Sequence, residues 1–411
     1  MTPGVRRPRR AGVLGAAIGA VVAAAPGSLP RDPLVHAATL GVTMTVGFLA
    51  GSAIGRLAHL IGGGRGARVG RLSGTAAAVA VAASMSISVW WQNVLRGAMG
   101  MPEIGTGWAA ASVAVVAVGV AALVAPRPTT LLASAVVLTG TGVAQAAAVP
   151  AAPTTSSIEE ATTTRTADRL VISAPFDARP VAERARDLVA RWRAAGGARR
   201  GAVVVAVPTG SGWVDTDAVV GFETRLHGDV TTIALPYDDA PSWQAFVGGA
   251  ADVARSSAVA TLNALDSDLD DHPTHARPQI YLYGQSLGAI GADAARIWAR
   301  HRGVAVCATL LAGPPAHTVA SRADHREVVV NASDPVGRWS PSLLWRPAPR
   351  WPGHDDLPRP VWLPVASFLQ TSVDLLGALS FPAGHGHQYG PEQSAYAPIC
   401  APKRSAHADR A

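Results

Sequence analysis

Apolar and polar positions divide this chain into two parts with different periodicities. Up to about residue 150 it is a series of uncharged apolar stretches, most of them close to the roughly 20 residues needed to cross a bilayer. These stretches are rich in glycine and alanine, the small residues that allow membrane helices to pack closely. We predict a transmembrane domain over residues 1–150 with five helices, at about 11–25, 34–53, 75–91, 108–125 and 130–149.

Arginines are distributed unevenly between the loops of this domain. They precede the first stretch at residues 6–10, separate the second and third at residues 56–71, and separate the fourth and fifth at Arg127. The alternate loops hold only Arg31 and Arg96. The positive-inside rule therefore predicts a cytoplasmic N-terminus, and five crossings place the remaining chain outside. A cleaved signal peptide at the N-terminus is the alternative, leaving four crossings and the same final side.

Beyond a Pro/Thr/Ser-rich linker at residues 151–167, short β-branched runs alternate with helical patterns. This alternation predicts an α/β domain over 168–411, with a mostly parallel sheet covered by helices on both faces. In such sheets the active site lies at the carboxyl ends of the strands. The predicted strands are 170–173, 202–207, 230–235, 279–283, 304–311, 327–331 and 360–363, and the predicted helices are 181–195, 243–265 and 289–302.

A G-x-S-x-G motif at Gly284–Gly288 directly follows the predicted strand 279–283 and opens the predicted helix 289–302. This strand–turn–helix context is typical of a nucleophile elbow, in which a sharp turn exposes the serine hydroxyl. The alternative without catalysis is an ordinary serine in a glycine-rich turn. We interpret Ser286 as a catalytic nucleophile.

A serine hydroxyl needs a base, and the base needs an orienting acid. In proteins with this elbow the acid follows the serine along the chain. Asp334 lies just past the predicted strand 327–331 and is our candidate, with an ordinary Asp-Pro turn as the alternative. The other candidates are Asp355, Asp356 and Asp374.

The base should come last, and the glycine-rich segment 384–390 offers His385 and His387. We favour His387. Two histidines at this spacing could also bind a metal, but no cluster of carboxylates or cysteines accompanies them. We therefore expect no metal and no cofactor.

An oxyanion hole needs backbone N–H groups aimed at the developing negative charge. One should come from Leu287, immediately after the nucleophile. The second should come from Gly210 or Ser211, because Pro208-Thr209-Gly210-Ser211-Gly212-Trp213 directly follows the predicted strand 202–207. A tight glycine turn without a catalytic role is the alternative.

With these residues in hand, the chain resembles a bacterial, largely actinobacterial, family of membrane-bound α/β-hydrolases, in which a multi-helix membrane domain precedes a hydrolase domain. The resemblance spans nearly the whole chain and implies a Ser286–Asp334–histidine triad. One departure is Tyr237-Asp238-Asp239-Ala240, where an aromatic-rich stretch is expected before Pro241. The likeness is carried by Ser28-Leu29-Pro30-Arg31, Gln92-Asn93-Val94-Leu95-Arg96, Met99-Gly100-Met101, Pro208–Trp213, Pro241-Ser242-Trp243, Gly284–Gly288, Asp334-Pro335-Val336 and Gly384–Gly390.

These patterns predict a membrane-anchored serine hydrolase that cleaves lipid or cell-envelope esters, with the bilayer as its partner and residues 339–362 as an apolar cap. An acyltransferase with the same triad and a non-catalytic scaffold or transport component are the alternatives. The formal net charge of +7 arises in the apolar half, so no folded basic face is expected to bind nucleic acid. Cys307 falls in a predicted buried strand, so we expect an inert thiol rather than a bridge to Cys400.

Overall fold

The computed structural model describes residues 7–61, 72–105, 164–166, 169–238, 248–320, 324–351 and 357–400, with isolated residues between 107 and 115. The chain forms two compact units. The first comprises Met1–Ala152, Trp339–Ala348 and Asp356–Ser380, and the second comprises Pro153–Arg338, Pro349–Asp355 and Phe381–Ala411.

The first unit is helical. Two of its helices, over Pro33–Ile61 and Thr75–Ala98, are long and apolar enough to cross a membrane, and Ala11–Ala23 is a shorter apolar helix. The predicted segments 108–125 and 130–149 lie largely outside the described residues, so the number of crossings stays a prediction. The helices of this unit are α1 (Arg7–Ala23), α2 (Pro33–Ile61), α3 (Leu72–Ala98) and, late in the chain, α8 (Ala366–Leu375).

Glycines bring α1 and α2 into backbone contact. A Cβ on Gly15 would overlap the carbonyl oxygen of Gly47, and a Cβ on Gly47 would overlap that of Gly15. Gly19 lies equally close to the carbonyl of Thr43. Helix packing therefore explains the glycines at these positions.

The second unit contains a seven-stranded sheet with covering helices, and the predicted domain bounds 168–411 stay a prediction. Its sheet has the order β1-β2-β4-β3-β5-β6-β7, in which only the β1/β2 pair is antiparallel. The strands are β1 (Thr164–Thr166), β2 (Arg169–Ser173), β3 (Ala202–Val207), β4 (Val230–Ala234), β5 (Gln279–Gln285), β6 (Val306–Ala312) and β7 (Arg326–Val329). The helices are α4 (Val181–Ala194), α5 (Thr216–Arg225), α6 (Ala250–Leu269) and α7 (Leu287–Arg302).

Both faces of the sheet are covered, which confirms the predicted fold class. Along β3, Val203 and Val205 join the core that includes residues of α4, α6 and α7. The alternate residues Val204 and Ala206 join the opposite core, with Phe222 of α5. Because successive side chains of a strand point to opposite faces, the continuous apolar run of β3 serves both cores.

Three predicted elements differ from the structure. Of the predicted helix 243–265, residues 243–247 lie outside the described residues, and α6 begins at Ala250 after Gly249 at φ +84°, a backbone conformation that glycine adopts readily. Residues 360–363 are not a strand, since Pro360 and the following Pro364 lack the N–H donors that a ladder requires. Part of the predicted linker, Thr164–Thr166, pairs with β2 as an edge strand.

The expectation of a free thiol at Cys307 was wrong. Cys307 in β6 and Cys400 near the C-terminus form a disulfide with a Cα–Cα distance of 5.7 Å. The strand is buried as predicted, but Cys400 packs against the same core. Its pairing could not be predicted because 93 residues separate the two cysteines.

A buried ion pair in the first unit joins α8 to the turn between α1 and α2. Asp374 accepts hydrogen bonds from the backbone N–H and the hydroxyl of Ser28, and from the guanidinium of Arg31 at 2.8 Å. Gln92 and Arg96 of α3 hold the backbone of Arg31 from the other side. The segments 28–31 and 92–96, singled out in the sequence, therefore meet in one polar cluster.

We expect Asp374→Asn to lower the free energy of unfolding by on the order of 3 kcal/mol, because it leaves the Arg31 charge buried without a counterion. Thermal unfolding in detergent would measure this loss. The control is Asp32→Asn, at an exposed residue that caps α2 and whose replacement keeps the cap. Equal unfolding temperatures for the two variants would contradict the assignment.

Candidate active site

The backbone of Ser286 has the strained geometry of a nucleophile elbow. It lies between β5 and α7 with φ 56° and ψ −124°, a region that residues other than glycine seldom occupy. Its N–H donates to the carbonyl of Ala312 at the end of β6, at 3.0 Å. The serine is thereby fixed at the carboxyl edge of the sheet.

Both glycines of the motif are required by close packing. A Cβ on Gly284 would overlap the carbonyl of Gly288, where α7 begins. A Cβ on Gly288 would overlap the carbonyl oxygens of Val207 and Pro208, at the end of β3. The motif therefore serves two purposes, a tight turn and the approach of α7 to the loop after β3.

Asp334 and His387 form a buried pair, with Nδ1 of the histidine 2.8 Å from Oδ2 of the aspartate. The hydroxyl of Tyr389 donates to the same oxygen at 2.6 Å, and the N–H of Val336 donates to Oδ1 at 2.8 Å. Gly313 has no side chain because a Cβ there would come within 2.8 Å of all three partners, His387, Tyr389 and Asp334. The aspartate charge is thus held by neighbouring donors in the protein interior.

The histidine loop is held in place through its backbone. Asn331 donates from its side-chain amide to the carbonyls of Gly386 and Gln388, and Ser333 accepts from the N–H of Gly386. Gln285, the residue before Ser286, donates to the carbonyl of His387 at 3.1 Å. These contacts bring His387 beside the elbow.

The second ring nitrogen of His387, Nε2, makes no hydrogen bond to the hydroxyl of Ser286, so the role of His387 as its base stays a prediction. Nε2 is buried and has no hydrogen-bond partner in the part of the chain that the structure describes. His385 precedes this position and is half-buried, and it is His387 that reaches Asp334. Of the other candidate acids, Asp374 pairs with Arg31, while Asp355 and Asp356 lie outside the described residues.

The backbone around Ser286 offers N–H donors for an oxyanion. Leu287 is the first residue of α7, so its N–H has no acceptor within the helix. The loop after β3 is closed by hydrogen bonds from Thr209 to Trp213 and from Gly212 to Thr209. The backbone N–H groups of Gly210 and Ser211 donate no backbone hydrogen bond within the described residues. The roles of Leu287, Gly210 and Ser211 in binding an oxyanion stay predictions.

Comparison with known families agrees with this fold. Residues 176–328 and 323–411 match an α/β-hydrolase family, and residues 24–158 match the N-terminal region described for the same family. The chain belongs to this α/β-hydrolase family. No curated protein and no solved structure matches the chain. The bacterial source and the membrane location implied by the resemblance stay expectations.

A buried polar network that was not predicted from the sequence ends on the backbone carbonyl of His387 in this α/β-hydrolase fold. Asp215, the N-cap of α5, accepts a hydrogen bond from the side-chain amide of Gln393 at 2.9 Å. The hydroxyl of Tyr283 donates to Gln393 and to Gln285, and Gln285 in turn holds His387. Asp215 lies in the loop that follows β3, a position from which the sequence could have identified it as a candidate site residue. Gln285, Gln393 and Tyr283 take their place in the network through no recognisable sequence motif.

Burial is the main cause that raises the pKa of Asp215 to about 6. A carboxyl whose pKa is higher in the folded than in the unfolded state stabilises the fold at low pH, and that contribution is lost as pH rises through the folded pKa.

Within the described residues, no cluster of three or more His, Cys, Asp or Glu side chains could hold a metal ion.

We expect Asp215→Asn to stabilise the protein at pH 8 by on the order of 2 kcal/mol, because it removes a charge that is costly to bury. Asparagine keeps the helix cap, and the amide of Gln393 can reverse to accept from it. The gain should shrink as pH falls through 6 and level off below about 4. Unfolding measured against pH, with the less buried Asp217→Asn as control, would test this; a pH-independent difference would contradict it.

We expect Tyr389→Phe to reduce kcat about tenfold with KM unchanged, because one charge-assisted hydrogen bond to Asp334 is removed while the ring still fills its space. Steady-state turnover of a soluble ester would measure this. Tyr396→Phe is the control, at a tyrosine that is 46% exposed. A wild-type kcat in the Tyr389 variant would show that the hydroxyl does not hold the acid.

Proposed function

We propose that this protein is a membrane-anchored serine hydrolase that cleaves carboxylic esters, with lipid or cell-envelope esters as its substrates. The observation that carries the proposal is the buried Asp334–His387 pair, whose histidine accepts at its backbone carbonyl from Gln285, the residue before the strained Ser286. Membership of the α/β-hydrolase family supports hydrolase chemistry on this scaffold.

The reaction begins when the hydroxyl oxygen of Ser286 attacks the ester carbonyl carbon and Nε2 of His387 takes its proton. Asp334 keeps the imidazole oriented and stabilises the imidazolium that forms. The oxyanion accepts from the N–H of Leu287 and from that of Gly210 or Ser211. The imidazolium then protonates the departing alkoxide, leaving an acyl-serine. Water, deprotonated by His387, attacks the acyl-serine and releases the carboxylic acid and free serine.

The membrane anchor is proposed from α2, α3 and the apolar segments that follow them. The position of α8 adds an argument about topology. It packs on the turn between α1 and α2, at the end of the helices that holds only Arg31 and Arg96. Arg56 lies in α2 near the other end of these helices, where α2 stops and α3 starts, and the sequence between the two helices contains Arg65, Arg68 and Arg71. The positive-inside rule then supports an external position for α8, whatever number of helices follows α3.

The disulfide supports the same location independently. Cys307 and Cys400 both belong to the catalytic unit, and disulfides persist in oxidising compartments outside the cytoplasm. We therefore propose that the catalytic unit faces the outside of the cell membrane.

A fluorophosphonate probe, which reacts covalently with activated serines, tests the triad on intact cells. We expect the wild type to be labelled, and labelling to be lost in Ser286→Ala and His387→Ala but retained in the matched control His385→Ala. Asp334→Asn should label more slowly by about four orders of magnitude, because the histidine adopts the wrong tautomer.

The probe also separates the alternatives. Labelling by a cell-impermeant probe is expected, and labelling only after permeabilisation would overturn the proposed topology. If the folded protein is not labelled even in permeabilised cells, the hydrolase proposal fails and a scaffold role takes its place. Products formed with a competing alcohol acceptor present distinguish hydrolysis from acyl transfer.

A further inference from the structure

The chain between Asp334 and the histidine loop contains a segment, residues 357–380, that is fixed to the N-terminal helices at both ends; we call it the insert. At its start, Leu357 packs in one apolar cluster with Trp91 and Leu95 of α3. At its end, Asp374 pairs with Arg31. Both anchors belong to the first unit and lie at the end of the helices where α3 stops.

Helix α8 of the insert uses one face for this attachment. Its buried residues include Ala366, Gln370 and Asp374, which recur every four positions and so share one side. Gln370 donates from its side-chain amide to the backbone carbonyl of Val22, in the last turn of α1. The side-chain amide of Gln370 and the carboxylate of Asp374 therefore attach the buried face of α8 to the end of α1 and to the turn that follows it.

Between the two anchors the insert presents apolar side chains to its surroundings. Val361, Leu363 and Val365 are 76%, 43% and 48% exposed. No charged residue occurs between Arg359 and Asp374. A run of this kind in water would be a contiguous apolar patch, which proteins use to bind a partner or a membrane.

The exposed side chains of α2 in the first unit indicate that lipid covers this patch. The exposed side chains in the first three turns of α2 include Leu34 and Val42, at 46% and 43%, as expected for a helix that faces lipid. The anchors hold the insert beside Arg31, two residues before α2 begins, and therefore at this end of the apolar surface of the helix. Trp345, 65% exposed in the same unit, adds an amphipathic ring that favours this depth.

We propose that residues 361–365 of the insert dip into the outer leaflet of the membrane that the N-terminal helices span, and that the enzyme takes its ester from that leaflet. The substrate class is then a long-chain lipid ester held in the bilayer, and not a soluble short-chain ester. This inference rests on the hydrolase function proposed above.

The first experiment measures membrane contact without using activity. The only cysteines of the chain are joined in the disulfide, so a single added cysteine can be labelled selectively. Leu363→Cys and the control Val253→Cys, on α6 of the catalytic unit and 47% exposed, are each labelled with an environment-sensitive fluorophore. The full chain is then reconstituted in vesicles of phosphatidylcholine and phosphatidylglycerol, with and without brominated acyl chains.

We expect brominated lipid to reduce the fluorescence at position 363 by about half and to leave position 253 unchanged, because only an interfacial residue reaches the acyl boundary. If brominated lipid quenches position 363 no more than position 253, the inference is overturned. The same result is expected if a second copy of the chain or another protein, and not lipid, covers the segment.

The second experiment tests the substrate class. Val361→Asp combined with Leu363→Asp should slow hydrolysis of a long-chain lipid ester in vesicles about tenfold, because carboxylates resist burial among lipids. Hydrolysis of a soluble short-chain ester should stay at the wild-type rate, and Val253→Asp should change neither. Equal slowing of both esters would overturn the inference while leaving the hydrolase intact. Fluorescence quenching at position 363 without any ester hydrolysis would instead reject the hydrolase and keep the membrane contact.

Discussion

The carboxylate of Asp334 is the group on which the catalytic unit depends. It is fully buried, and a buried charge is tolerated only where donors surround it. Those donors come from its own turn through Val336 and from the C-terminal loop through His387 and Tyr389. The charge therefore ties the end of β7 to a segment more than 50 residues later, and the imidazole is oriented as a consequence of the same bonds that satisfy the acid.

Local patterns predicted the parts of this arrangement that are encoded locally. The run 279–283 is β-branched and aromatic enough to be read as a strand, and the elbow that follows needs glycines at fixed positions. The order of serine, acid and histidine then limited the candidates, and the structure brings Asp334 together with His387. The choice between His385 and His387 was undetermined in the sequence, because it depends on how Asn331 and Ser333 hold the loop.

Contacts between distant parts of the chain could not be predicted in the same way. The ion pair of Arg31 with Asp374 joins residues 343 positions apart, and Asp374 was read as a spare candidate for the catalytic acid. The disulfide and the Asp215 network have the same character. In each case the residue type was visible, but its partner is chosen by the tertiary fold, and a single sequence contains no signal for that choice.

The insert can serve a second purpose because the ends of the connection that contains it are fixed near the active site. Asn331 and Ser333 bind the backbone of Gly386 and Gln388 directly, so the chain that leaves after Asp334 returns to a defined place. Once both ends of a loop are held, its length adds little further entropic cost, since that cost grows only logarithmically. The intervening residues are thus free to be selected for attachment to the membrane helices, while the distance between Asp334 and His387 is set by the clamp and not by the loop.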